Sequence, residues 1–422
     1  MEKTKRLVGS ELKPLEIPCN LKPEKEEHQR LKNINHHISY FVTDVFISAD
    51  NIITSLGFTT GDNAASMLSE KTGIRLTEDD RIAPAPFYAS LVDTSLLLEK
   101  FTAIDDPGKY TRFEQLAICS VKNALTGTDV DPADPGTLFI LSTTKGNIDM
   151  LEKENELKFG KERAYLWNTA RLIQYYFNFL NQPVIVSNAC ISGVQAILTG
   201  ARLIRANLYE NVVINGTDII SEFVLSGFNS FKSLSNGPCR PFDKIRDGLS
   251  LGEGSGTVIL TKTPSRSDTA KRIMVGEGFS SNDANHISGP SRTGEGLFIA
   301  IERLLKKAPV TVDYISAHGT GTSYNDEMES IAITRAGLQS VPVNSFKGYW
   351  GHTLGAAGII ETVMCLYSIR ESVLFSTRGY HDLGVTNPIP VVNRVVKKGI
   401  KNCLKIASGF GGCNIALLLH KP

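Results

Sequence analysis

A lone cysteine, Cys190, stands in "VSNACISGVQAI" between an apolar run and a segment with helical spacing. A strand ending near Ala189 and a helix from about Ser192 leave the thiol in the connecting turn, at the helix amino terminus. Unpaired N–H groups and the positive dipole end favour a thiolate there, and the same groups can hold a carbonyl oxygen as it becomes negative. The alternative role is that of a small buried hydrophobe. A nucleophilic thiol needs acids and bases. Of the eight histidines, His28, His36 and His37 lie in a charged amino-terminal segment. His318, in "ISAHGTGTSYNDEMES", precedes a helix opened by Asn325 and Asp326. His352 lies in "NSFKGYWGHTLGAAGIIETV", where glycine and alanine let a helix approach another backbone closely. Both histidines follow strand-like runs, and strand ends are where open α/β sheets place their sites. Taken singly, each reads as a core or capping residue; with Cys190 they form a candidate constellation.

The elements that must position these residues follow from hydrophobic patterning. Apolar, β-branched runs such as "GTLFILS", "QPVIVSNA", "NVVINGTD" and "GTVILTK" read as buried strands of a sheet covered on both faces. "RFEQLAICSVKNAL", "GVQAILTGARLIRANL" and "GLFIAIERLLKKA" read as helices. A second strand series comprises "RIMVGEGFS", "VDYISAHGT", "VPVNSFKG" and "CLKIASGFGGCNIALLLHK". The polar stretch "TPSRSDTAKR" separates the two series. The expected organisation is a charged extension over 1–37 that orders only against a partner, an α/β half over 38–265 and a second over 266–422.

Composition excludes several function classes. With 45 basic and 44 acidic side chains the formal charge is +1, so no nucleic acid is expected as a partner. The seven cysteines are widely spaced with no C-x-x-C pair, which argues for reduced thiols in a cytoplasmic protein and against a metal cage. No apolar run reaches the length of about 20 residues that spans a bilayer. Phosphate-loop and zincin motifs are missing, and the glycine-rich "GEGSG" leads into a strand, not a helix, which argues against a dinucleotide site.

Five segments in order, "NACISG", "RPFDKIRDGLSLGEGSG", "AHGTGTSYNDEME", "NSFKGYWGHTLGAAG" and "SGFGGCNIAL", resemble the successive motifs of the elongating beta-ketoacyl-acyl-carrier-protein synthases. The resemblance runs from about Ile38 to the carboxyl terminus and is weaker before residue 180. It implies an α/β thiolase fold, with two pseudo-repeated βαβαβαββ halves in a five-layer α-β-α-β-α core. It also implies decarboxylative Claisen condensation. Cys190 takes an acyl chain from an acyl carrier protein, His318 and His352 hold the malonyl thioester oxygen as carbon dioxide leaves, and a 3-ketoacyl carrier is released. Lys347 resembles the lysine that sets the local charge, and Glu329, with Asp326 nearby, its acidic support. Thr320 and Thr322 resemble the hydroxyls that bind pantetheine, and Phe410 with Gly411 the gating and oxyanion segment. No resident cofactor is implied, since 4'-phosphopantetheine arrives on the carrier. The implied assembly is a homodimer, with a heterodimer as the alternative.

Several features depart from the family pattern. "ISYFVTDVFISADNIITSLG" replaces the usual glycine-rich first strand. The segment from Thr143 to Gln182 is charged and aromatic where relatives line the acyl pocket and dimer contact. Ser408 stands where many relatives carry a bulkier residue, and Cys413 replaces a usual threonine. Cys403 and Cys413 keep a thiolase with a second catalytic cysteine in view. A priming synthase of the Cys-His-Asn type is disfavoured by His352. A noncatalytic, chain-length-factor-like subunit is disfavoured by Cys190.

Overall fold

The apolar runs do form a central sheet, in a computed structural model that describes residues 43–264, 272–287 and 289–422. The expected extension over 1–37 lies outside the described residues. The first five strands are β1 (Phe46–Ile53), β2 (Thr137–Ser142), β3 (Val184–Val186), β4 (Asn211–Asp218) and β5 (Gly254–Thr261). The next five are β6 (Met274–Asn282), β7 (Tyr314–Ser316), β8 (Val343–Asn344), β9 (Asn402–Gly409) and β10 (Cys413–His420). Every residue of β2 and β5 is buried, which explains why these strands are apolar throughout instead of alternating.

The sheet order is β3-β2-β4-β5-β1-β6-β10-β9-β7-β8. Read inward from either edge, each half has the same order, third strand, second, fourth, fifth, first. The orientations repeat as well: β3, β2 and β4 run parallel with β5 and β1 alternating, and β8, β7 and β9 run parallel with β10 and β6 alternating. The halves join where β1 meets β6 at Phe46 and Met274.

Five helices complete the layers: α1 (Arg112–Leu125), α2 (Ser192–Arg205), α3 (Glu295–Lys307), α4 (Ser323–Arg335) and α5 (Ala357–Glu371). Helix α1 packs on β1, β4 and β5, whereas α3 packs on β6 and β10 with α4 against it. Between the half-sheets, α2 and α5 touch each other and strands of both halves. Almost all of α5 is buried, as expected for a helix that is apolar all round. This is the five-layer thiolase fold. Among the described residues no helix is long and apolar enough to cross a membrane.

Three strands are shorter than their sequence runs, and of "VDYISAHGT" only Tyr314–Ser316 pairs. "QPVIVSNA" contributes only Val184–Val186 and "VPVNSFKG" only Val343–Asn344. In both cases the chain leaves the sheet early to build the loops that carry Cys190 and Lys347.

Candidate active site

Cys190 lies on the turn between β3 and α2, and this turn is tightly made. Ala189 sits at φ +44°, a region that costs a residue with a Cβ about 1–2 kcal/mol. Ser192 holds it there, receiving the Asn188 N–H at 2.7 Å and donating to the Ala189 carbonyl at 2.6 Å. Downstream, a Cβ on Gly193 would fall 2.6 Å from the Ile359 nitrogen, so α2 and α5 meet backbone to backbone at their amino-terminal ends. The loop carrying His352 leads into α5, and this contact brings it to Cys190.

The Cys190 sulfur and one ring nitrogen from each of His318 and His352 lie within 4.8 Å of one another. All three residues are buried. The imidazoles cross nearly at right angles, with centroids 5.0 Å apart. His352 Nδ1 accepts the Leu354 N–H at 3.1 Å, which fixes the ring proton on Nε2. His318 Nδ1 lies 3.2 Å from the Lys347 ammonium, a donor only, so its proton is also on Nε2. His352 Nε2 is buried and makes no hydrogen bond among the described residues. Burial, followed by the charge of Lys347, holds both rings well below the usual histidine range. The result is two neutral N–H donors beside one sulfur.

Burial opposes the thiolate that the helix end favours. Burial pushes the Cys190 thiol up to about 12; Cys413 adds to the rise, while Lys347 and the Phe410 N–H oppose it. Loss of hydration is the largest of these influences, and it favours the neutral thiol.

Lys347 corrects an expectation. Its ammonium pairs with Glu361, at 2.5 Å, and also donates to the His318 carbonyl at 2.6 Å. Glu329 instead accepts the backbone N–H groups of His318 and Gly319, each at 2.7 Å. Burial and the neighbouring Asp326 raise the Glu329 carboxyl to about 7. Asp326 likewise receives backbone N–H groups, from Thr320 at 2.9 Å and Phe242 at 2.7 Å. The two acids therefore shape the His318 loop and do not neutralise Lys347. Nor do Asn325 and Asp326 open the helix, because Thr322 is the cap of α4. Glu361 was missed, although a lone acid in the apolar run "GIIETVMCLYSI" must find a partner once buried.

A cavity of about 380 Å³ opens onto this group and is lined by Cys190, His318, Thr320, Thr322, His352, Ser408 and Phe410 among others. The Thr320 and Thr322 hydroxyls are 2.9 Å apart. A second cavity, about 410 Å³, reaches Cys190 from the other side between Phe223, Val224, Phe228, Phe231 and Leu354. Phe410 borders both cavities. Its ring stacks on Phe228 at 5.5 Å and meets the edge of Phe231 at 5.2 Å. The Phe410 N–H is close enough to Cys190 to oppose the rise of its thiol. Gly411 does not share that role: its N–H donates to the Ile287 carbonyl at 2.8 Å, and it contributes a positive φ of 82° to the loop. Cys413 borders neither cavity and points its sulfur at the Phe410 carbonyl at 3.3 Å, while Cys403 is sealed in the core. Neither cysteine can serve as the second thiol of a thiolase in this arrangement. The cysteine and two histidines have the donor types of a zinc site. The ammonium of Lys347 beside them, however, opposes a divalent cation just as it opposes imidazolium.

Fold and site together define a condensing acyltransferase of the thiolase-like class. The N-terminal domain of the beta-ketoacyl synthases matches residues 43–265 and their C-terminal domain residues 273–381. The chain belongs to the beta-ketoacyl synthase family. It is 31% identical to the tetracenomycin polyketide synthase ketoacyl synthase alpha subunit of Streptomyces glaucescens, over 74% of this chain and 82% of that protein. It is 35% identical to 3-oxoacyl-acyl-carrier-protein synthase 2 of Rhizobium meliloti, over 56% of this chain and 60% of that protein. Among solved structures, the ketosynthase of Xenorhabdus doucetiae in complex with its chain length factor superposes with a TM-score of 0.80 at 26% identity, covering 90% of this chain and 98% of that one.

Proposed function

We propose that this chain joins an acyl group held on Cys190 to the two-carbon unit of a malonyl thioester on an acyl carrier protein, giving a 3-ketoacyl carrier. The observation that carries the reading is the pair of neutral Nε2–H donors facing the same cavity as one thiol. In the first step the Cys190 sulfur bonds to the acyl carbon, the carrier's carbon–sulfur bond breaks, and the thiol proton leaves on the released pantetheine. Malonyl carrier then binds with its thioester oxygen between His318 and His352. Carbon dioxide departs and leaves its bonding electrons as an enolate, which two donors that need not be deprotonated stabilise as the charge develops. The enolate carbon attacks the acyl carbon, the N–H groups of Cys190 and Phe410 hold the transient oxyanion, and sulfur leaves as a thiolate as the ketone forms, then takes a proton from water to restore the thiol.

Lys347 positions His318, and Thr320 and Thr322 supply hydroxyls for pantetheine. The apolar cavity beyond Phe410 supports a hydrocarbon-rich acyl chain. The only prosthetic group required is the one the carrier brings. The buried free thiols fit a reducing, cytoplasmic setting. Among the described residues strand β3 ends the sheet with one edge unpaired, which supports pairing with a second copy of the chain across that edge; a chain-length-factor partner is the alternative.

Intact-mass measurement tests the reading. Incubation with acyl carriers of graded length should add one acyl mass, and Cys190→Ala should abolish it. His318→Ala or His352→Ala should lower carbon dioxide release by about 100-fold or more while acyl transfer persists. An adduct on Cys413, or equal loss of both steps, would overturn it.

A further inference from the structure

Lys405 lies on β9 in the run "CLKIASGF", and its side chain is fully buried. Its ammonium sits 2.6 Å from Glu361 and 3.3 Å from the Ala317 carbonyl, next to His318 in the chain. The other Glu361 oxygen is the one that Lys347 holds, so the contacts run in series from Lys405 through Glu361 and Lys347 to His318. Two ammonium groups and one carboxylate leave one positive charge in a dry core, directly behind the two imidazoles.

Such a group is poorly explained by stability, because a well-packed apolar side chain at a buried position is often the more stable choice. A lone Lys347–Glu361 pair would be balanced; the second lysine makes the cluster cationic. Resting on the condensing function above, we propose that Lys405 is a positioning residue that sets the charge behind His318 and His352. It divides Glu361 between two cations, so that Lys347 is never fully neutralised where the enolate forms. The field keeps both imidazoles neutral and favours negative charge on the oxygen they hold. In line with this, the charge of Lys405 acts on both histidines in the direction of deprotonation. The other titratable groups facing the cluster are Cys365 on α5, Tyr314 on β7, Cys403 on β9, Glu329 on α4, Cys190 and Cys239.

Two variants separate charge from packing. Lys405→Gln keeps a donor within reach of Glu361 but loses the charge, and Lys405→Met loses both. Each should release carbon dioxide from malonyl carrier about tenfold more slowly, with acylation of Cys190 within about twofold of the parent chain. In NMR titrations of labelled histidine, both imidazoles should move up toward the ordinary range. Unchanged decarboxylation and titration in Lys405→Gln overturn the proposal, as does failure of both variants to fold, which would mark Lys405 as structural. His318→Ala and His352→Ala run alongside as controls. If they too retain decarboxylation, the functional reading fails; if they lose it while the Lys405 variants do not, only the charge-setting role fails.

Discussion

At the residue scale the chemistry depends on protonation states that neighbours impose. A second proton on His318 would face the Lys347 ammonium, and one on His352 would break its bond from the Leu354 N–H. Carbon dioxide release from malonyl carrier should therefore stay level from about pH 8 down to about pH 6, through the region where a free imidazole titrates. A break near 7 that disappears in Glu329→Gln would report that carboxyl; a break near 6.5 that survives in this variant would overturn the neutral-imidazole assignment. The same pKa depression has a stability consequence of definite sign. The unfolded histidines take up protons first, so their contribution is present above about pH 6.5 and is lost as the pH falls below it.

At the element scale two short segments carry more than their length suggests. The contact between Gly193 and Gly358 sets the distance between the Cys190 turn and the His352 loop, and a Cβ on Gly358 would lie 2.5 Å from the Val194 nitrogen. Gly193→Ala should lower stability by about 1–3 kcal/mol and slow acylation as well, measured by denaturant unfolding and by intact mass. Wild-type stability with full loss of acylation would still fit a displaced turn, whereas no change in either would refute the contact. In the turn Ile148–Leu151, one Asp149 carboxylate oxygen is buried without a hydrogen bond among the described residues, and burial raises the group to about 7. A carboxyl raised in this way stabilises below its unfolded value of 3.8 and loses that contribution as the pH rises through about 7. Asp149→Asn should accordingly raise stability at pH 8 by about 1–2 kcal/mol and have little effect near pH 4. Thermal melts at the two values decide it; a variant destabilised at pH 8 would count against the assignment.

At the scale of the whole molecule, a repeated topology places two unlike catalytic halves face to face. The first half contributes the nucleophile on the turn before α2, and the second contributes both imidazoles and the buried cations. The free edge of β3 leads to an expected mass of two chains in sedimentation equilibrium; a monomer at micromolar concentration would rule out pairing across that edge.

The sequence by itself determined the α/β class, most strands and the long helices, because burial on both faces and helical amphipathicity leave periodic marks. It also singled out Cys190, His318 and His352, since five motifs in order restrict chemistry more tightly than any one of them. Ion-pair partners, protonation states and the division of the cavity were decided only by tertiary structure. Lys347 lies nearer in sequence to Glu361 than to Glu329, yet nothing along the chain says which acid can reach its ammonium. The thiol of Cys190 is governed by the water removed around it, and Gly411 by a carbonyl of Ile287 far away in sequence. Electrostatics and desolvation depend on distance and enclosure in space, and only the packed halves supply these.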